Sequence, residues 1–201
     1  GWSFANAGWW SGTAGGQRRK EFKKAIGAAA IADGDEWDDQ AREGGNQFTY
    51  MTTEPISIDG FMKDSVVFRY ASSWRPEVVQ TATIEATFDD GDAIEIMRWE
   101  SEGGDAEFYH GHEVNETVNI SINNPAGAKS VKLTIAYLDA GNNWWWAIDN
   151  ITVAAAEVST PALSVVNNGD GTVTVTFEGT LQTAPTVNGP WENVDAPSPL
   201  T

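Results

Sequence analysis

Several runs along the chain alternate apolar and polar residues with a period of two: SVVFRYASSW, ATIEATF, AIEIMRW, ETVNISI, SVKLTIAYL and AIDNITV. Successive side chains of an extended chain point to opposite faces, so each run predicts a half-buried β-strand. Between them stand DDGD at 89–92, SEGGD at 101–105, NNPAGA at 123–128 and DAGNN at 139–143, compositions that turn a chain. The pattern predicts an all-β domain closed as an antiparallel β-sandwich. The one helix-compatible segment, EFKKAIGAAAIA at 21–32, carries the end of the basic cluster QRRKEFKK followed by small residues, and is assigned to loop and strand.

The last run breaks its own rhythm. In DAGNNWWWAIDNITV, alternation puts Trp144, Trp146 and Ile148 on one face of a strand but Ile151 and Val153 on the other. A β-bulge at Asp149–Asn150 would return all five side chains to one core and re-aim the carboxylate. The other reading is a strand that changes its buried face between two sheets. Three consecutive indoles cannot share one strand face, and each carries an N–H that needs a partner when buried. On the alternation, Trp146 packs in the core, Trp144 shares its face and Trp145 points outward.

After Val153 the composition shifts. AAAEVSTPA has linker character, and LSVVNNGDGTVTVTFEGTLQTAPTVNGPWENV reads as short antiparallel strands around an Asn-Gly-Asp-Gly hairpin. The expected organisation is a β-sandwich over 1–154, a linker at 155–160 and a small β appendage at 161–201. A segment of that size makes a marginal core of its own. The chain starts at Gly1, ends in a Pro-Ser-Pro run, and reads as part of a longer protein.

Charge and composition narrow the chemistry. The 201 residues carry a formal net charge of −17, against the Lys- and Arg-driven neutralisation of phosphates on which nucleic-acid binding depends. There is no cysteine, so disulfides, zinc thiolates and cysteine nucleophiles do not arise. No stretch approaches the roughly 20 apolar residues of a membrane span, so no membrane insertion is expected. Only two histidines exist, His110 and His112 in YHGHEV, and they lack a third ligand for catalytic zinc. No nucleophile elbow, phosphate-binding loop or HExxH motif is present. A carboxylate pair for glycoside hydrolysis is not visible as spacing, because sequence distance does not give separation in space.

Residues 33–39 read DGDEWDD. Carboxylates this dense are relieved by full solvation or by a hard cation such as calcium, which takes six to eight oxygens at flexible geometry. The run is therefore either a solvated acidic loop or a metal site. The flanking helices and twelfth-position glutamate of an EF-hand are missing.

TTEPISIDG at 52–60, the SSWRPE strand end, NPAGAKSVKLTIAY and the terminal WWWAIDNITV together resemble the jelly-roll domains of the MAM, cleaved-adhesin and choice-of-anchor J group. The resemblance covers residues 1–154, and the W-x-I-D-N-I-x-V pattern is its most specific part. The missing cysteines place it with the bacterial branch. It implies a non-catalytic, secreted accessory domain carried beside a neighbouring catalytic domain of the same polypeptide. It also implies a structural calcium (Ca2+) held between the acidic loop and the last strand. The ligands so implied are Asp35, Asp38 and Asp149, with Asp33 and Asp39 in reserve.

Exposed indole faces stack on sugar rings, which makes the tryptophans candidate polysaccharide contacts. Trp144, Trp145, Trp9, Trp10 and the Trp74–Arg75 pair are those candidates; the opposing reading is that they pack the core and the strand interfaces. Three functions compete. A carbohydrate-binding module predicts exposed tryptophans and binding without turnover, and is the reading preferred. A structural or protein-binding domain predicts buried tryptophans and no glycan affinity. A small polysaccharide hydrolase or lyase predicts a cleft lined by acids and histidine.

Overall fold

The computed structural model describes residues 1–13, 15, 17–35, 45–102, 107–157 and 162–201. The chain divides into two compact units, Gly1–Ala156 and Glu157–Thr201. In the first, β1 (Ser3–Asn6), a short helix α1 (Ala7–Gly12) and a 3-10 turn (Arg19–Glu21) precede β2 (Ala28–Asp33), β3 (Gln47–Thr52) and β4 (Ile56–Ser57). The longer strands follow: β5 (Val66–Trp74), β6 (Thr81–Phe88), β7 (Ala93–Glu100), β8 (Glu113–Ile122), β9 (Ser130–Ala140) and β10 (Trp145–Ala155).

One sheet has the order β1-β2-β10-β5-β8 and the other β3-β9-β6-β7, with β4 added on β9. Every strand pair is antiparallel. The chain steps between the sheets at β2–β3, β4–β5, β5–β6, β7–β8, β8–β9 and β9–β10, which is the jelly-roll arrangement of a β-sandwich. The alternating runs thus do what their period predicts, each turning one row of side chains into the space between the sheets.

That space is filled largely by aromatic rings. Trp146 lies 5.6 Å from Trp2, 6.2 Å from Trp74, 5.8 Å from Trp99 and 6.4 Å from Tyr70, centroid to centroid. Leu133, Ile135, Ile84 and Phe68 pack around them, fully buried. Such rings bury large areas in tilted and edge-to-face contacts.

The predicted bulge is present. On β10 the register advances from Asp149 to Thr152 while β5 goes only from Ala71 to Arg69, and Asn150 sits at φ 53°. Val153 packs against the core as the parity change requires. Ile151, at 38% exposure, does not, because it lies within the bulge rather than beyond it.

Trp145 faces outward as the alternation predicts, but it is no surface platform, having no exposed surface, and Trp144 packs with it rather than sharing the face of Trp146. Trp145 points away from the inter-sheet core and onto a second apolar cluster formed with Trp10, Phe22, Ile31 and Ala147. The outer face of this sheet is therefore covered by the N-terminal segment. The indole N–H groups on both faces of β10 are met by consecutive serines of β5. Trp145 Nε1 donates to Ser73 Oγ at 3.1 Å, and Trp146 Nε1 donates to Ser72 Oγ at 3.2 Å. Ser73 is paired with Ala147 and Ser72 with Ile148, so both bonds run along the same two-residue diagonal, where long side chains of neighbouring strands meet.

In the second unit, β11 (Leu163–Asn167) pairs with β12 (Val173–Phe177), and β13 (Gln182–Thr183) with β14 (Glu192–Asn193). Gly169 and Gly171, at φ 80° and 89°, supply the left-handed conformations of the predicted hairpin turn. Among the described residues no helix is long and apolar enough to cross a membrane.

Ser72→Ala and Ser73→Ala are each expected to destabilise the first unit by about 1–3 kcal/mol, the cost of leaving a buried donor unpaired. Urea unfolding checks this, and unchanged midpoints would show that the serines are not the partners. Trp146→Ala is expected to cost about 3–5 kcal/mol as a core truncation.

Candidate functional site

The N-terminal cover is built from the sequence NAGWWSG. Asn6 caps α1, its Oδ1 accepting from Trp9 N at 3.0 Å, as Asn at such a position is suited to do. The helix turns the two adjacent tryptophans in different directions. Trp10 is 4% exposed and stands edge-on to Trp145, 5.4 Å away at 89°, whereas Trp9 is 66% exposed.

Two guanidinium groups are inserted among these rings. Arg19, on the 3-10 turn, lies 5.3 Å from the Trp10 ring and 5.6 Å from Trp145. It is 2% exposed, donating from Nη2 to Asp33 Oδ2 at 2.8 Å and from Nη1 to Thr13 Oγ1 at 2.7 Å. Arg75 lies 3.6 Å above Trp144 and 5.0 Å from Trp145, and donates to the Gln17 carbonyl. The outer face thus alternates Trp10, Arg19, Trp145, Arg75 and Trp144. Each cation lies against a ring face or edge while polar partners accept from its terminal N–H groups. Burial, with the nearby Arg18 charge, holds the Arg75 pKa below its ordinary value.

A pocket of about 370 Å³ opens beside this stack. Ala5 and Ile31 give it apolar walls, Ser3 and Thr13 bring hydroxyls, the Arg19–Asp33 pair lies at its polar end, and Trp9 and Trp10 complete it. Trp10 Nε1 is buried without a hydrogen-bond partner. A half-apolar concavity with a few fixed polar groups and an exposed aromatic ring is suited to a small polar ligand with an apolar face.

Of the residues singled out from sequence, Trp9, Trp10 and Asp33 meet in this pocket, Asp33 in a role not expected of it. Trp145 lies beneath the cover. Trp74 is fully buried in the inter-sheet core, its Nε1 donating to the His110 carbonyl at 3.1 Å, so it is no platform. Trp144 is half-buried under Arg75. Phe4, Phe48 and Tyr50 are exposed aromatics that the sequence did not single out. Arg19 was also missed: its only signal was membership of a basic run, which gives no hint that one member is buried against Asp33.

The expected calcium ligands do not come together. Asp33 is engaged by Arg19, and Asp35 Oδ2 accepts from Gln17 Nε2 at 2.6 Å. Asp149 accepts from the amides of Ile26 at 2.6 Å and Asn150 at 2.7 Å. Asp33 is paired with Trp145, and Asp149 lies four positions further along β10, roughly 13 Å away at a rise of ~3.3 Å per residue. Because β2 and β10 are antiparallel, the chain leaving Asp33 enters the acidic loop at the end remote from Asp149. These residues do not fit a calcium shared by Asp149 with Asp33 or Asp35. Asp38 and Asp39 lie outside the described residues. Among the described residues no three His, Asp or Glu side chains are grouped to hold a metal.

The histidines also separate. His110 stacks on Trp99 at 3.9 Å and 11°, with Nε2 2.9 Å from Glu116 Oε1, whereas His112 Nε2 lies 3.3 Å from Arg18 Nη1. Burial and the charges of Arg18 and Arg75 hold His112 below the ordinary histidine pKa.

No family model matches the chain, and no curated protein matches it. Among solved structures, that of TmCBM61 in complex with β-1,4-galactotriose is similar, with a TM-score of 0.41 and 10% identity. The match covers 77% of this chain and 81% of that one.

Asp33→Ala is expected to destabilise the first unit by about 3–5 kcal/mol, because it strands a buried guanidinium, and Asp33→Ala with Arg19→Met should recover most of that loss. Additive losses in a double-mutant cycle would show that the pair is not coupled. Asp149→Ala should lower the melting temperature equally in EDTA and in calcium; a loss seen only with calcium would restore a metal role for it.

Proposed function

We propose that Gly1–Ala156 is a non-catalytic carbohydrate-binding module that takes a sugar in the pocket between Trp9 and the Arg19–Asp33 pair. The observation that carries this is a largely exposed indole at a concavity whose polar groups are already held in place. A sugar ring has an apolar C–H face and an edge of hydroxyls. Trp9 offers a stacking surface for the first, and the Arg19–Asp33 pair with the hydroxyls of Ser3 and Thr13 offers polar groups for the second. Arg19 is clamped by Thr13, Asp33 and two indoles, so little ordering remains to be paid on binding.

A binding role suits this geometry better than a hydrolytic one. One carboxylate lines the pocket, and glycoside hydrolysis takes two across the scissile bond. In this reading the domain is a bacterial jelly-roll accessory module, exported beside a catalytic domain of the same polypeptide. Its contribution is to hold that domain at a polysaccharide by raising effective concentration.

Affinity electrophoresis against a panel of polysaccharides that includes β-1,4-galactan tests the proposal. At least one polymer should retard the protein, Trp9→Ala should weaken that retardation tenfold or more, and its melting temperature should stay unchanged. Retardation that persists in Trp9→Ala, or reducing ends released over a day of incubation, would overturn it.

A further inference from the structure

The β10 bulge builds a second pocket, and we infer that it binds an oxyanion carried on a sugar: the carboxylate of a uronic acid or a sulfate ester. Where β10 gains its extra residue, Asn150 takes a left-handed conformation and its Nδ2 donates to the Lys24 carbonyl at 2.6 Å. The amide of Lys24 in turn donates to Asn115 Oδ1 at 2.9 Å. The backbone of Lys24 is thereby tied on one side to the bulge and on the other to β8. Between them opens a pocket of about 330 Å³ lined by Lys24, Arg69, Thr117, Asn150 and Thr152.

Charge identifies the occupant. In a chain of net charge −17, five of the eleven described lysines and arginines are paired with carboxylates: Arg18 with Glu21, Arg19 with Asp33, Lys63 with Asp64, Arg98 with Glu95 and Lys132 with Asp90. Arg69 and Lys24 make no ion pair among the described residues, yet they face the same pocket. No carboxylate lines it, and the nearby Asp149 is occupied by the amides of Ile26 and Asn150. A planar guanidinium and an ammonium converging on a space without an acid suit a carboxylate or sulfate. The hydroxyls of Thr117 and Thr152 and the Asn150 amide are matched to the ring hydroxyls that would flank such a group. The sequence signals both halves of this arrangement, the basic run at 17–24 and the parity change at Asp149, without showing that they meet. The pocket shares no lining residue with the one at Trp9, so the inference stands independently of that site.

The test is titration calorimetry of the full chain with three probes: a neutral β-1,4-galactan oligosaccharide, an oligogalacturonate and a sulfated galactan oligosaccharide. The expected result is that one or both anionic probes bind and that binding weakens as salt is raised, because the cations are exposed. Lys24→Ala with Arg69→Ala should then lose at least tenfold in that affinity, and Arg69→Glu should lose more, with melting temperatures unchanged. Loss confined to oligogalacturonate assigns a carboxylate, and loss confined to the sulfated probe assigns a sulfate ester. Trp9→Ala should leave the effect of the double substitution intact, which separates failure here from failure of the Trp9 pocket. Absence of binding by both anionic probes, or an affinity the double substitution does not change, would overturn the inference.

Discussion

Two consecutive indole N–H groups on opposite faces of one strand impose a constraint that the rest of the first unit answers. Trp146 points between the sheets and Trp145 points away from them, and both are fully buried. Burial without a hydrogen bond would cost about 1–3 kcal/mol for each donor. The consecutive serines of β5 resolve both at once, because strand alternation sends them to opposite faces in step with the tryptophans. A side chain as large as Trp145 on the outer face then requires a cover, and α1 with the 3-10 turn supplies it.

The proposed function rests on how that cover is made. A purely apolar lid would have closed the face. This one places a guanidinium on either side of Trp145 and fixes each by polar partners. The buried ion pair that results has a desolvation cost and is weak support for stability by itself. Its consequence is a fixed pair of polar groups beside apolar walls and an exposed indole, the arrangement on which the proposed sugar site rests. The bulge has the same character on a smaller scale: an interruption of pairing that leaves two cations facing a pocket.

Period-two alternation revealed the strands, the sandwich and, through the parity change at Asp149, the bulge. These depend on neighbours within one strand and are legible locally. The covering of Trp145 was not legible, because alternation says that Trp145 and Trp146 face opposite ways but not that a segment more than a hundred residues upstream lies over one of them. Asp149 was expected to share a cation with Asp35 and Asp38, with Asp33 and Asp39 in reserve. Strand register separates Asp33 from Asp149, and register is a long-range property: Asp33 pairs with Trp145, four positions before Asp149 on β10. Arg19 escaped notice for the same reason, since nothing in QRRKEFKK distinguishes the one cation that becomes buried from those that stay in water. Trp9 and Trp10 were grouped as candidates by type, and only the helix capped by Asn6 reveals why one is exposed and the other buried.

The most direct test is to follow the indole Nε1–H signals by nuclear magnetic resonance while a bound oligosaccharide is titrated. The account predicts slow hydrogen exchange and unmoved signals for Trp145 and Trp146, and large shifts for Trp9 and Trp10, which line the pocket. Shifts at Trp144 or Trp145 with Trp9 and Trp10 unmoved would contradict it.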